Sequence, residues 1–133
     1  YADVRRWGSE AGYCDVLIPQ VYFGFENEAA PFSETVTEWV QTVTCDSVSL
    51  VIGIGTHKYG KVDQWAGSGS MEWTTQWDLP VRQATQVLET DGTDGLAVYD
   101  YATTFLPESN AERMAQQVEQ LGALLRGMPA DPL

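Results

Sequence analysis

The chain has 133 residues, 44% hydrophobic and 20% charged, enough apolar side chain for one packed domain and too much for a disordered tail. Nineteen Asp and Glu against seven Lys and Arg leave a formal charge of -12. Such a surface repels phosphate backbones and anionic lipid, so neither nucleic-acid binding nor membrane insertion is expected. The apolar runs are also far shorter than the ~20 residues of a membrane-crossing helix. Cys14, Cys45 and the single His57 are too few for a disulfide scaffold or a multi-histidine zinc site, and no metal or other cofactor is expected. The two cysteines read as buried thiols or one optional bridge. The chain opens at Tyr1 rather than Met, so its true beginning is expected upstream.

In chain order, Val4, Trp7 and Ala11 fall at helical spacing, with Gly12 as the expected C-terminal cap. Residues 16–23 form a nearly continuous apolar run, rich in β-branched and aromatic side chains, that reads as a strand buried on both faces. Val36, Trp39, Val40 and Val43 recur at i, i+3, i+4, i+7, an amphipathic helix approached by Pro31. Residues 48–54 read as a second buried strand. A polar, glycine-rich loop then leads to a helix carrying Val81, Ala84, Val87 and Leu88, with Pro80 in its first turn. Residues 93–101 read as a third strand. Ser109 to Glu112 matches a capping box, followed by a helix whose apolar face is Met114, Val118, Leu121 and Leu125; the tail 128–133 is expected to fray.

Strands alternating with helices predict an α/β domain with parallel strands and right-handed crossovers. Three such strands form either a small open sandwich with two apolar edges or about three-eighths of a TIM (β/α)8 barrel. In both, ligands gather at the carboxyl ends of the strands. Those ends carry Gln20, Tyr22 and Glu26, then Gly53, Gly55, His57, Lys58 and Tyr59, then Tyr99, Asp100 and Tyr101, with Trp65, Trp73 and Trp77 in the loop between the second strand and its helix. Aromatic faces beside amide and carboxylate groups suit a sugar, whose C–H patches stack while its hydroxyls take paired hydrogen bonds. The bland reading is that these side chains fill the interior. Glu26 and Glu28 could pair for glycoside chemistry, although two acids in an acidic loop are usually solvated surface. There is no complete dinucleotide fingerprint, no phosphate loop and no Gly-x-Ser-x-Gly elbow.

The stretches 1–7, 18–32, 53–59, 63–67 and 95–101 occur in the order of a known family. The Pro19-Gln20-Val21-Tyr22 block with its Gly24-Phe25-Glu26-Asn27 tail is the most specific. Across residues 1 to 106 the sequence resembles glycosyl-hydrolase-like family 10, bacterial and usually exported (β/α)8-barrel glycosidases, and more faintly the family 18 chitinase-type barrels. The resemblance implies a single partial barrel domain over residues 1–133, holding strands six to eight with their flanking helices. It implies that Tyr22 bonds the sugar nearest the scissile bond and Tyr99 forms the floor. Gln20, His57 and Tyr101 would complete the pocket, with Trp65 or Trp73 as cover; Glu26 and Tyr59 are further substrate-binding candidates, and Tyr22 and Glu26 are the candidate supporting residues for catalysis. The catalytic acid would lie at the end of strand four, in a part that precedes this chain. An extracellular or cell-surface location and an oligo- or polysaccharide substrate follow by the same analogy, with the missing barrel half or a second copy as protein partner. Two other readings stay open: a non-catalytic carbohydrate-binding or assembly module, and a small α/β domain that dimerises over its sheet edges without a ligand.

Overall fold

The computed structural model describes residues 2–127, so Tyr1 and the tail 128–133 lie outside the described residues. Three strands, β1 (Val16–Leu17), β2 (Ser49–Gly55) and β3 (Gly95–Tyr99), form a parallel sheet in the order β1-β2-β3. Around them run α1 (Val4–Ser9), α2 (Phe32–Thr42), α3 (Glu72–Thr75), α4 (Leu79–Glu89), α5 (Tyr101–Phe105) and α6 (Ala111–Arg126). The α/β alternation expected from the sequence is present.

The register divides the sheet into two faces. Leu50, Ile52 and Ile54 of β2 join Phe32 and Val36 of α2, Ala84 and Val87 of α4 and Leu121 of α6 in one core cluster. The alternate residues of β2 look the other way, with Gln20 beside Gly53, Ala97 beside Gly53 from the far side, and Tyr99 beside Gly55. Crossovers of one hand onto sequentially ordered parallel strands bring the helices to one side, and the shared core cluster of α2, α4 and α6 agrees with that rule.

Several boundaries differ from expectation. The first helix stops at Ser9, because Asp3 caps its start and Glu10 turns extended, and Gly12 sits two residues beyond in a turn at φ +92°. The first strand is not buried on both faces. It regularly pairs over Val16–Leu17 alone, then touches β2 through Gln20, and Ile18 is 54% exposed. Pro19 lacks the N–H that a continuing ladder would use, while its carbonyl accepts from Gly53 N at 2.9 Å. The third strand ends at Tyr99, and Tyr101 opens α5 instead of extending the strand. The working capping box is Asp100 with Thr103, whereas Asn110 precedes α6 in a left-handed conformation without a side-chain cap. On α6, Met114 and Leu121 are buried but Leu125 is exposed.

Candidate functional site

Three rings meet at the carboxyl end of the sheet. Tyr22 stacks on Tyr99 with centroids 5.3 Å apart and planes 22° from parallel. His57 stands edge-on to both, at 5.2 Å from Tyr22 and 5.4 Å from Tyr99. Tyr99 ends β3 while Tyr22 and His57 come just after β1 and β2, so the parallel topology itself assembles the trio. Gly55 makes it possible: a Cβ there would lie 2.7 Å from His57 Cε1 and 3.1 Å from Tyr22 Cδ1. Tyr99 remains 50% exposed, which leaves one ring of the trio facing outward.

The chemistry of the trio follows from partial burial. Desolvation raises the Tyr22 phenol above its ordinary value, with Tyr99 and Asp100 adding to the rise, so Tyr22 keeps its proton at neutral pH. Burial lowers His57, and Lys58 and Lys61 push the same way against the opposing Asp100, so the imidazole is neutral in the same range. Its Nδ1 is buried and has no hydrogen-bond partner among the described residues. The cluster is thus a hydroxyl donor, a neutral imidazole and an open aromatic face, without a formal charge of its own.

Behind it, Thr56 ties the strand ends together. Its hydroxyl lies 2.9 Å from Thr103 Oγ1, 2.8 Å from Thr104 Oγ1 and 3.2 Å from the Tyr99 carbonyl. Asp100 caps α5 by accepting from Thr103 N at 2.9 Å, and the Tyr99–Asp100 peptide bond is cis. A cavity of about 250 Å³ opens between His57 and α5, lined by Lys61, Thr103, Leu106 and Ser109 among others.

The remaining predicted site residues divide into exposed, clamped and buried groups. Gln20 is exposed on the Gly53 side of the sheet, one residue pair before the trio. Glu26 is exposed in the loop after β1, where its carboxylate accepts from Gln76 Nε2. Glu28 accepts from Ser68 N at 3.1 Å, so the two acids of that loop hold separate partners. Trp65 is 81% exposed, whereas Trp73 is 1% exposed and belongs to the interior. Tyr59 is buried as well, donating its hydroxyl to the Trp77 carbonyl at 2.8 Å. Tyr101 is exposed and lies 4.9 Å from Phe105 on α5, ring to ring. Cys14 and Cys45 are free thiols, near the Trp7 carbonyl and the Ser47 hydroxyl respectively.

One residue had no signal in the sequence. Glu72, on α3, is 2% exposed, and its two oxygens accept from Phe25 N and Glu26 N at 2.9 Å each. A lone Glu in a polar loop looks like surface, and its burial depends on a contact across 47 residues. Among the described residues, no group of three or more His, Cys, Asp or Glu is placed to hold a metal ion, and no helix is long and apolar enough to cross a membrane.

The chain is 38% identical over 84 residues to the protein named Glycosyl hydrolase DigH of Escherichia coli K12, and to the proteins of that name from Escherichia coli O157:H7 and Shigella flexneri. The match takes in 59% of this chain but spans only 19% of the length of those relatives. No family model matches the chain, and no solved structure does.

Proposed function

We propose that this chain is the sugar-binding arc of a glycoside hydrolase of the glycosyl-hydrolase-like family 10 type, with β1, β2 and β3 standing as strands six, seven and eight of a (β/α)8 barrel. The trio of Tyr22, His57 and Tyr99 over Gly55 carries the reading, since it joins an open aromatic face to uncharged hydrogen-bonding groups at the carboxyl ends of parallel strands. The sequential strand order supports the barrel, because an open doubly wound sheet reverses its order to gain helices on both faces. The partial identity to proteins named glycosyl hydrolase supports the activity.

In this reading the Tyr99 ring takes the C–H face of one sugar, the Tyr22 hydroxyl donates to a ring substituent, and neutral His57 completes the hydrogen bonding. An anionic ligand fits less well. Asp100 already places a carboxylate at the start of α5, where barrels often bind phosphate, and the chain carries a net charge of -12. In this reading the acid that protonates the leaving group comes from outside these residues, because three acids that follow the strands already hold partners. Asp100 caps a helix, Glu72 is buried against backbone and Glu26 is held by Gln76. Those engagements also favour a second reading, a segment that binds sugar without turning it over. An extracellular or cell-surface site of action accompanies both readings.

Hydrolysis of neutral oligosaccharides by the intact protein tests the proposal. Tyr22→Phe should lower kcat at least tenfold with the melting temperature unchanged. Binding without hydrolysis would select the second reading. Equal losses of stability and turnover would make Tyr22 a packing residue and overturn both.

A further inference from the structure

A buried carboxylate is costly unless a cation or strong donors hold it. Glu72 has no ion-pair partner among the described residues, and its donors are two consecutive backbone N–H groups of the loop after β1. The fit is close enough that Gly24 has no room for a Cβ, which would overlap Glu72 Oε2. A hydrophobic side chain would fill the same space without a charge, so packing alone does not account for a glutamate here.

The neighbouring residue shows what the contact holds. The backbone of Glu26 is fixed by Glu72 from one side and by Gly69 from the other, where a Cβ would strike the Glu26 carbonyl. Its side chain is fixed separately. Gln76 Nε2 donates to the carboxylate, Gln76 Oε1 accepts from Arg82 Nη1 at 2.6 Å, and Arg82 lies 4.5 Å over the Phe25 ring. Glu26 nevertheless remains exposed. Immobilising an exposed carboxylate loses side-chain entropy with no burial in return, an arrangement that suits a pre-set binding group.

We propose that Glu72 is a positioning residue for the sugar site, setting the place of the Glu26 carboxylate, four residues after Tyr22 in the loop that follows β1, through the Phe25 and Glu26 amides. This rests on the reading of the Tyr22–His57–Tyr99 trio as a sugar site. Glu26 then bonds a sugar hydroxyl beyond the ring stacked on Tyr99. Glu72 touches no ligand and acts only through the clamp. Protonation of Glu72 weakens its acceptance from both amides. The charged groups that act on it are Glu26, which pushes its pKa up along with burial, and Arg82, which opposes.

The test uses the intact protein and a panel of neutral cello-, xylo-, manno- and chitotrioses. Glu72→Gln should speed hydrogen exchange at the Phe25 and Glu26 amides at least tenfold. It should weaken trisaccharide binding about as much as Glu26→Gln does, and the double variant should bind no worse than either single one. Additive losses, or unchanged binding in Glu72→Gln, would overturn the proposal and leave the sugar site standing. If no sugar binds the unmutated protein, the site reading fails and takes the proposal with it. Should Glu72→Gln not fold, the unmutated protein and Glu26→Gln decide by titration. The Phe25 amide shift and the trisaccharide affinity must then inflect at the same pH in the former, and affinity must lose that inflection in the latter. Separate midpoints would overturn the proposal.

Discussion

On its helix side, β2 presents Leu50, Ile52 and Ile54, all fully buried among residues of α2, α4 and α6. On its other side the same strand presents Ser49, Val51, Gly53 and Gly55, flanked by exposed Gln20 and half-exposed Tyr99. One side maximises buried hydrocarbon, and the other keeps side chains small so that rings from the strand ends can close over it. Stability therefore concentrates on the first side and recognition on the second, and substitutions should separate the two.

The largest loss is expected on the helix side. Ile52→Ala removes buried methyl groups from a packed cluster and should lower unfolding free energy by about 2–5 kcal/mol in denaturant titration. If it changes stability by less than about 1 kcal/mol, the helix side is not the main source of stability. Next comes Thr56→Val, which removes the hydroxyl bonds to the Tyr99 carbonyl and to Thr103 and Thr104, while that carbonyl still accepts from Thr56 N and both threonines still reach the Asp100 carbonyl. It should cost about 0.5–1.5 kcal/mol by the same measurement. Gly55→Ala sharpens the contrast. It should cost less than about 1.5 kcal/mol, since rings can shift, yet weaken sugar binding at least tenfold in calorimetry.

The smallest effects are in the pH dependence. His57 has a folded-state pKa below its unfolded one, so its contribution is intact above the ordinary histidine value and is lost as pH falls through the lowered one. His57→Asn should flatten thermal stability on that acid side. Glu72 has the opposite sign. Its pKa is raised, so stability falls as pH climbs from the ordinary carboxylate value through the raised one and is level above it. The stability difference between the unmutated protein and Glu72→Gln should follow that slope, and a difference independent of pH would show that burial does not penalise the charged form.

Much of the helix side was legible in the sequence because periodicity reports burial: Val36, Ala84, Val87 and Leu121 all fall where the spacing placed them. Tyr22, His57 and Tyr99 could be placed at strand ends for the same reason. The misreadings have separate causes. An apolar run such as residues 16–23 does not reveal that Pro19 withholds a donor, so the first strand looked longer and more buried than it is. Asp100, inside the expected strand 93–101, instead caps α5 together with Thr103, so Tyr101 opens a helix and does not continue the strand from Tyr99. Trp73 and Glu72 are adjacent in a loop without periodicity, and tertiary contacts alone decide that both are interior.

The two outer strands also limit how this sheet can be extended. β1 and β3 run in the same direction at opposite edges, and Val16, Ile18 and Val98 are exposed there. A dyad perpendicular to the sheet would join like edges with their strands antiparallel. Continuing the ladder in parallel, with helices kept to one side, requires a β3-type edge to meet a β1-type edge. Between identical units that contact is heterologous, and its geometry either closes into a ring or propagates without end. Closure is then a matter of the rotation per strand, so sheet twist, through the register at Gly53 and Gly55, would set the number of strands around the axis.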